Sequence, residues 1–313
     1  MTSKLAATLT LVGATCTGKS ALALALARRF DAELVNADAL QVYRGLDRGT
    51  AKPDAAARAA VPHHLVDILD PREPFSAGEF ARRAGAAIAD IESRGRRAIV
   101  VGGSGFSLRA LERGLAVVPP VPPEVREALR ARLEREGGAA LHRELAERDP
   151  ELASRLAPGD SQRVLRGLEV LEATGRPLSQ WQREATPPRG APLVVLGLTL
   201  PRTVLYDRIA TRAYAMLSGG WLDEIRQLLQ DGVPESAPAF QAIGYRQLIR
   251  HVNGACTLEH AMADTIRATR RYAKRQETWF RRERVVSWFR SPDLERLEHE
   301  AVELIFRQRL GGL

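Results

Sequence analysis

At 313 residues, 45% of them hydrophobic, the chain is long enough to bury one large core or two modest ones. A formal charge of +8 and a pI near 10.0 favour a polyanionic partner, and two cysteines supply neither a disulfide framework nor a zinc set. The apolar runs fall short of a membrane span and the first four residues are too polar to open a secretory signal, so a globular, cytoplasmic protein is expected.

Residues 5–12 have the apolar run of a buried strand and residues 21–30 the Ala/Leu pattern of a helix. Between them lies GATCTGKS, Gly13, Ala14, Thr15, Cys16, Thr17, Gly18, Lys19 and Ser20, which matches a P-loop. Its glycines let successive amides point at phosphate oxygens, and the helix that follows adds the positive end of its dipole. Lys19 is then expected on the bridging or terminal phosphate and Ser20 on Mg²⁺. Only four of the 46 basic residues are lysines, so a lysine at position 19 marks a place for a compact point charge. A diphosphate is expected there.

A second strand at 32–36 runs into Asp38, a βαβ opening. Ser76 and Glu79 have capping-box spacing and begin a helix running toward Arg94. Residues 97–101 form the next buried strand, ending in Gly102, Gly103 and Ser104. Loops leaving the carboxyl ends of parallel strands share one edge, so the P-loop, Asp38 and Ser104 are expected to converge. The strand at 97–101 lacks the terminal carboxylate of a water-activating site, which leaves Asp38 as general base or metal ligand. Adjacent His63 and His64 project apart and lack a third ligand at metal spacing.

Four prolines between 119 and 123 break the pattern, and from there to about 174 the chain is charged and helical in period. Prolines and a glycine at 187–192 close this stretch, and residues 192–200 return as a strand. The expected fold is therefore α/β: a P-loop NTPase-like parallel sheet flanked by helices, formed by 1–118 and 190–313, with an all-helical insertion at 119–189. Helices are expected to dominate the rest. Between 263 and 290 stand nine basic residues against three acidic ones. Arg267, Arg270, Arg271, Lys274 and Arg275 keep helical spacing, with Tyr272, Trp279, Phe280, Trp288 and Phe289 among them, a pattern suited first to a phosphate backbone and unstacked bases, with a solvated face over an aromatic core as the alternative.

The ordered segments GATCTGKS, NADALQVYR (36–44), GTAKP (49–53), VPHHLVD (61–67), VGGSG (101–105), AIGYRQ (242–247) and AKRQETWFR (273–281) resemble those of the bacterial tRNA dimethylallyltransferases, also called tRNA isopentenyltransferases. The resemblance covers nearly the whole chain. It implies transfer of a dimethylallyl group from its diphosphate to the exocyclic amine of the adenosine 3′ of the anticodon, with Mg²⁺. It also implies Arg212 on the diphosphate beside Gly13 to Ser20, with Asp38, Ser104 and Lys19 catalytic. Asp38, Ala39, Leu40 and Gln41, then Gln162, Arg163 and Arg166, then Gln241, Gly244, Tyr245 and Arg246, and finally Lys274, Arg275, Gln276, Trp279 and Arg281 match tRNA-contacting stretches. Gln41 has two uses open to it, a base edge or a structural hydrogen bond. The insertion matches the part that grips the anticodon arm, and a monomer is expected. Departures are Ala14, Cys16 and Thr17, where the family more often has proline, alanine and serine, and Ala39 and Leu40, where serine and arginine or methionine are usual. A P-loop small-molecule kinase, a dimethylallyltransferase acting on free adenylate, and an RNA-binding protein without chemistry are the competing readings.

Overall fold

The computed structural model describes residues 8–184, 193–283, 287–290 and 293–310. It divides into two compact units, one formed by Met1–Glu112 with Arg189–Leu313 and one by Arg113–Pro188. The helical unit thus begins at Arg113, earlier than the proline cluster that suggested its start.

In the larger unit β1 (Thr8–Gly13) leads to α1 (Lys19–Phe30), β2 (Ala32–Asn36), α2 (Ala55–Ala60), β3 (His63–His64), α3 (Ala77–Ser93), β4 (Arg97–Val101) and α4 (Gly105–Arg113). The smaller unit is α5 (Pro123–Glu136), α6 (Gly138–Arg148), α7 (Pro150–Ala153), α8 (Ser161–Thr174) and α9 (Leu178–Arg183). The chain returns as β5 (Leu193–Leu198), then α10 (Arg202–Ser218), α11 (Trp221–Gln230), α12 (Tyr245–Val252), α13 (Leu258–Phe280), β6 (Ser287–Phe289) and α14 (Leu294–Leu310).

All strands are parallel, in the order β3-β2-β4-β1-β5-β6. Alternation along each strand sends neighbours to opposite faces. Leu11, Leu34 and Ile99 pack with α1 and α14 on one side, whereas Val12, Val35 and Val100 pack with Phe80, Ile88 and Phe280 on the other. A third core surrounds Trp221, Phe240 and Tyr245 where α10, α11, α12 and α13 meet. The expected capping box at α3 is present on its backbone side, Ser76 Oγ accepting the Glu79 amide at 3.1 Å. β3 and β6 escaped the sequence reading, being two and three residues long, too short for any periodicity.

Glu33 lies on β2, the strand next to the β3 edge of the sheet, with its side chain 2% exposed. Arg94 and Arg96 donate to its carboxylate and His64 meets it at 2.6 Å. The Arg94 hydrogen bond, first among the causes, brings its pKa down to about 2 against the cost of burial.

The smaller unit has a core of its own around Leu129, Leu141, Leu145 and Leu168. Buried Asp149 staples it, its two carboxylate oxygens accepting the Leu152 amide at 3.1 Å and the Ser179 amide at 3.0 Å.

Candidate active site

The loop from Gly13 to Ser20 leaves the carboxyl end of β1 and closes on itself. The carbonyl of Ala14 accepts from Thr17 Oγ1 at 2.8 Å and from Lys19 Nζ at 2.6 Å. Gly18 takes φ of +98° just before α1, a conformation open to glycine, and the first amides of α1 are left without intrahelical partners. Burial, reinforced by the Arg212 guanidinium, lowers the Lys19 pKa to about 8. Ser20 is exposed, and among the described residues its hydroxyl has no partner.

Asp38 follows β2 at the same sheet edge. Its Oδ1 accepts the Leu40 amide at 2.8 Å, and Asn36 fixes the turn from below, accepting the Asp38 amide at 3.1 Å and donating to the Leu65 carbonyl at 3.0 Å. Gly102, after β4, allows the backbone of Ala37 to pass so closely that a Cβ would fall 2.3 Å from its carbonyl oxygen. From α10, Arg212 directs Nη1 to Cys16 Sγ at 3.7 Å and Nη2 to the Thr50 carbonyl at 3.5 Å.

These groups line one cavity of about 800 Å³, together with Gln41, His63, Asp207, Tyr272 and Gln276. A second hollow of about 350 Å³ shares Thr15, Cys16, Asp38, Arg212 and Tyr272 and extends past Leu40, Met216, Gln241 and Arg275. Tyr272 stands between them as a neutral phenol, its pKa pushed up to about 12 by burial and then by the Asp38 carboxylate. Sequence spacing placed Tyr272 only among the aromatics of the basic stretch and assigned no role to Asp207, whose one signal was its place on α10, the helix that follows β5.

Not every expected residue arrives at the cavity. Ser104 lines neither hollow, and its hydroxyl shares a 2.8 Å hydrogen bond with Ser107 Oγ at the start of α4. Tyr245 is 0% exposed, stacked edge-on against Trp221 with its hydroxyl donating to Glu224 at 2.6 Å. Gly244 is buried beside it with φ of +96°, where a Cβ would strike the Trp221 ring at 2.1 Å. Both are core residues, a correction to their assignment as RNA contacts. Glu224 in turn accepts the amides of Asp47, Arg48 and Gly49 at 2.8, 2.6 and 3.3 Å, so Tyr245 of AIGYRQ and Gly49 of GTAKP are joined as scaffold. Lys52 of GTAKP has its ammonium spent on the Tyr43 carbonyl, Asp47 and Asp67. Gln41 donates inward, to the Thr50 and Ala51 carbonyls at 3.1 and 3.3 Å.

The outward cations do form a surface. Arg267, Arg271, Lys274 and Arg275 of α13 and Arg281 just beyond it are exposed. Arg246, Arg250, Arg267, Arg271 and Arg275 line a further hollow of about 600 Å³. Arg270 turns away from this group, over the Tyr206 ring at 5.0 Å. Arg284, counted in the basic stretch, lies outside the described residues. In the smaller unit Gln162 and Arg163 are exposed on α8, and Arg166 pairs with Glu169 at 3.4 Å.

A cation at the loop would find few protein ligands. Among the described residues no three His, Cys, Asp or Glu side chains come together in a way that could hold a metal ion. The free hydroxyl of Ser20 beside an anion cradle suits a hard ion that takes most of its ligands from phosphate and water, the habit of Mg²⁺. Among the described residues, no helix is long and apolar enough to cross a membrane.

The sequence signature described as IPP transferase matches residues 41–283, and one described as isopentenyl transferase matches residues 7–63. A tRNA dimethylallyltransferase of Syntrophobacter fumaroxidans is 47% identical over 90% of this chain and 83% of its own length. The tRNA dimethylallyltransferase 1 of Trichlorobacter lovleyi is 46% identical over 95% and 98%. Among solved structures, the tRNA isopentenylpyrophosphate transferase of Bacillus halodurans superposes with a TM-score of 0.70 at 37% identity, covering 96% of this chain and 95% of that one. A eukaryotic dimethylallyltransferase solved acting on tRNA superposes with a TM-score of 0.74 at 28% identity, covering 87% and 69%. With a P-loop and a carboxylate in the same cavity and these relatives along its length, the chain belongs to the IPP transferase family, that of the tRNA dimethylallyltransferases.

Proposed function

We propose that the chain transfers a dimethylallyl group from dimethylallyl diphosphate to the exocyclic amine of the adenosine 3′-adjacent to the anticodon of tRNA, releasing pyrophosphate. The observation that carries the reading is the cavity itself, which Asp38 lines together with Thr15, Cys16, Gly18, Lys19 and Ser20 of the loop. The loop amides, Lys19 and Arg212 bind the diphosphate and take up the charge that grows on the departing oxygen. Ser20, together with the diphosphate, would hold Mg²⁺, which would neutralise more of that charge when bound.

The adenine amine is a weak nucleophile because its lone pair is delocalised into the ring. As that nitrogen bonds to the allylic carbon and the carbon–oxygen bond breaks, Asp38 receives the amine proton. Oδ1 is occupied by the Leu40 amide, and Oδ2 has no partner among the described residues. Drawing the base out of its stack costs a few kcal/mol. The exposed cations of α13 and Arg246, acting on the phosphate backbone, offset that cost. Gln162, Arg163 and Arg166 serve the same end in the helical unit, which grips the anticodon arm.

Incubation with dimethylallyl diphosphate, Mg²⁺ and unmodified tRNA tests the reading. One five-carbon unit on a single adenosine, seen by nucleoside mass spectrometry, is the expected result. ADP formation from ATP with no mass gain on tRNA would instead mark a kinase.

A further inference from the structure

The amide of Gln276 is spent entirely inside the protein. The residue is 6% exposed; Oε1 accepts the Thr15 amide proton at 2.9 Å, and Nε2 donates to the Gly103 carbonyl at 2.8 Å. Thr15 belongs to the loop after β1 and Gly103 to the loop after β4, so one side chain from α13 spans both loops that wall the cavity. The fit depends on the glycine, since a Cβ on residue 103 would fall 2.2 Å from Nε2. One turn further on, Trp279 covers Gly105 as closely, Arg109 lies over its ring at 4.5 Å, and Arg109 pairs with Glu283. Gln276, Trp279 and Phe280 lie on the inward side of α13, and the cations at 271, 274 and 275 are exposed.

We propose that Gln276 is a positioning residue of the diphosphate cradle and makes no contact with RNA. This deepens the proposed function and rests on the cradle holding the donor's diphosphate. Because Gln276 occupies the Thr15 amide, the donors left for a diphosphate are the amides from Cys16 onward, with Lys19 and Arg212. Gln276 holds the start of that loop in register with the wall at Gly103. Freed, the Thr15 amide and the Gly103 carbonyl would lose their buried partners and the loop its fixed entry.

Gln276→Ala and Gln276→Met, the second keeping the side chain's length without its hydrogen bonds, test this. Inorganic pyrophosphate with Mg²⁺ is titrated by calorimetry, tRNA by filter binding, and the melting temperature is recorded for each protein. Both variants are expected to bind pyrophosphate about tenfold more weakly, the size of one lost buried hydrogen bond. The donor KM should rise with it, while tRNA affinity stays within about twofold. Gly103→Ala should reproduce the pattern from the other end of the strut. Weakened tRNA binding with unchanged pyrophosphate binding, or no change in either, overturns the inference alone. A wild-type chain that binds no pyrophosphate overturns the donor reading and the inference with it.

Discussion

Lys19 turns its ammonium back on its own loop, donating to the Ala14 carbonyl at 2.6 Å, and this partly buried placement, with the Arg212 guanidinium nearby, lowers its pKa to about 8. A diphosphate prefers the charged form. Below pH 8 the ammonium is present and donor affinity is flat; as pH rises through 8 the proton is lost and affinity falls, by up to about tenfold per unit. The pH dependence of the donor KM, with the tRNA KM as control, checks this. Lys19→Ala should remove the dependence along with most of the binding.

Asp38 is expected to act on the amine and not on RNA affinity. Asp38→Asn can keep the Oδ1 bond to the Leu40 amide yet accepts no proton, so single-turnover transfer should drop by about 10²–10⁴-fold. Filter binding should show tRNA affinity unchanged within about twofold.

Tyr245 is a test of core against contact. Tyr245→Phe deletes the hydroxyl that Glu224 accepts and should cost about 1–2 kcal/mol in urea unfolding. Affinity for tRNA should be preserved, whereas an RNA-facing tyrosine would lose it.

Glu33 makes the sheet sensitive to acid. Its pKa is held near 2 against an ordinary 4.5, so its ion pairs stabilise the fold above the ordinary value, and that stability is lost as pH falls from 4.5 through 2. The contribution is on the order of 1–3 kcal/mol. Glu33→Gln should be less stable at pH 7 and show a shallower loss below pH 4.5 in denaturant titrations.

The exposed face of α13 predicts salt dependence. Replacing Arg271 or Lys274 with alanine should weaken tRNA binding uniformly across sequences and reduce the slope of log affinity against log salt by about 1 per cation that contacts a phosphate.

By itself, the order of residues along this chain determined the parallel sheet, the phosphate loop and the carboxylate at the end of β2. Each depends on neighbours close in sequence: a strand's apolar run, a glycine before a helix, an acid just past a strand. It also determined the excess of cations on α13, although the fold turned Arg270 away from the exposed Arg267, Arg271, Lys274 and Arg275. Only the tertiary structure decided which polar side chains reach the cavity. Gln276 and Thr15, 261 positions apart, meet because α13 packs beneath the loops of β1 and β4. Tyr245 is drawn into the core by Trp221 and Glu224, Ser104 is turned toward Ser107, and Tyr272 is brought between the two hollows. Burial and hydrogen-bond partners are set by contacts between distant segments, and no local pattern of residue types encodes them.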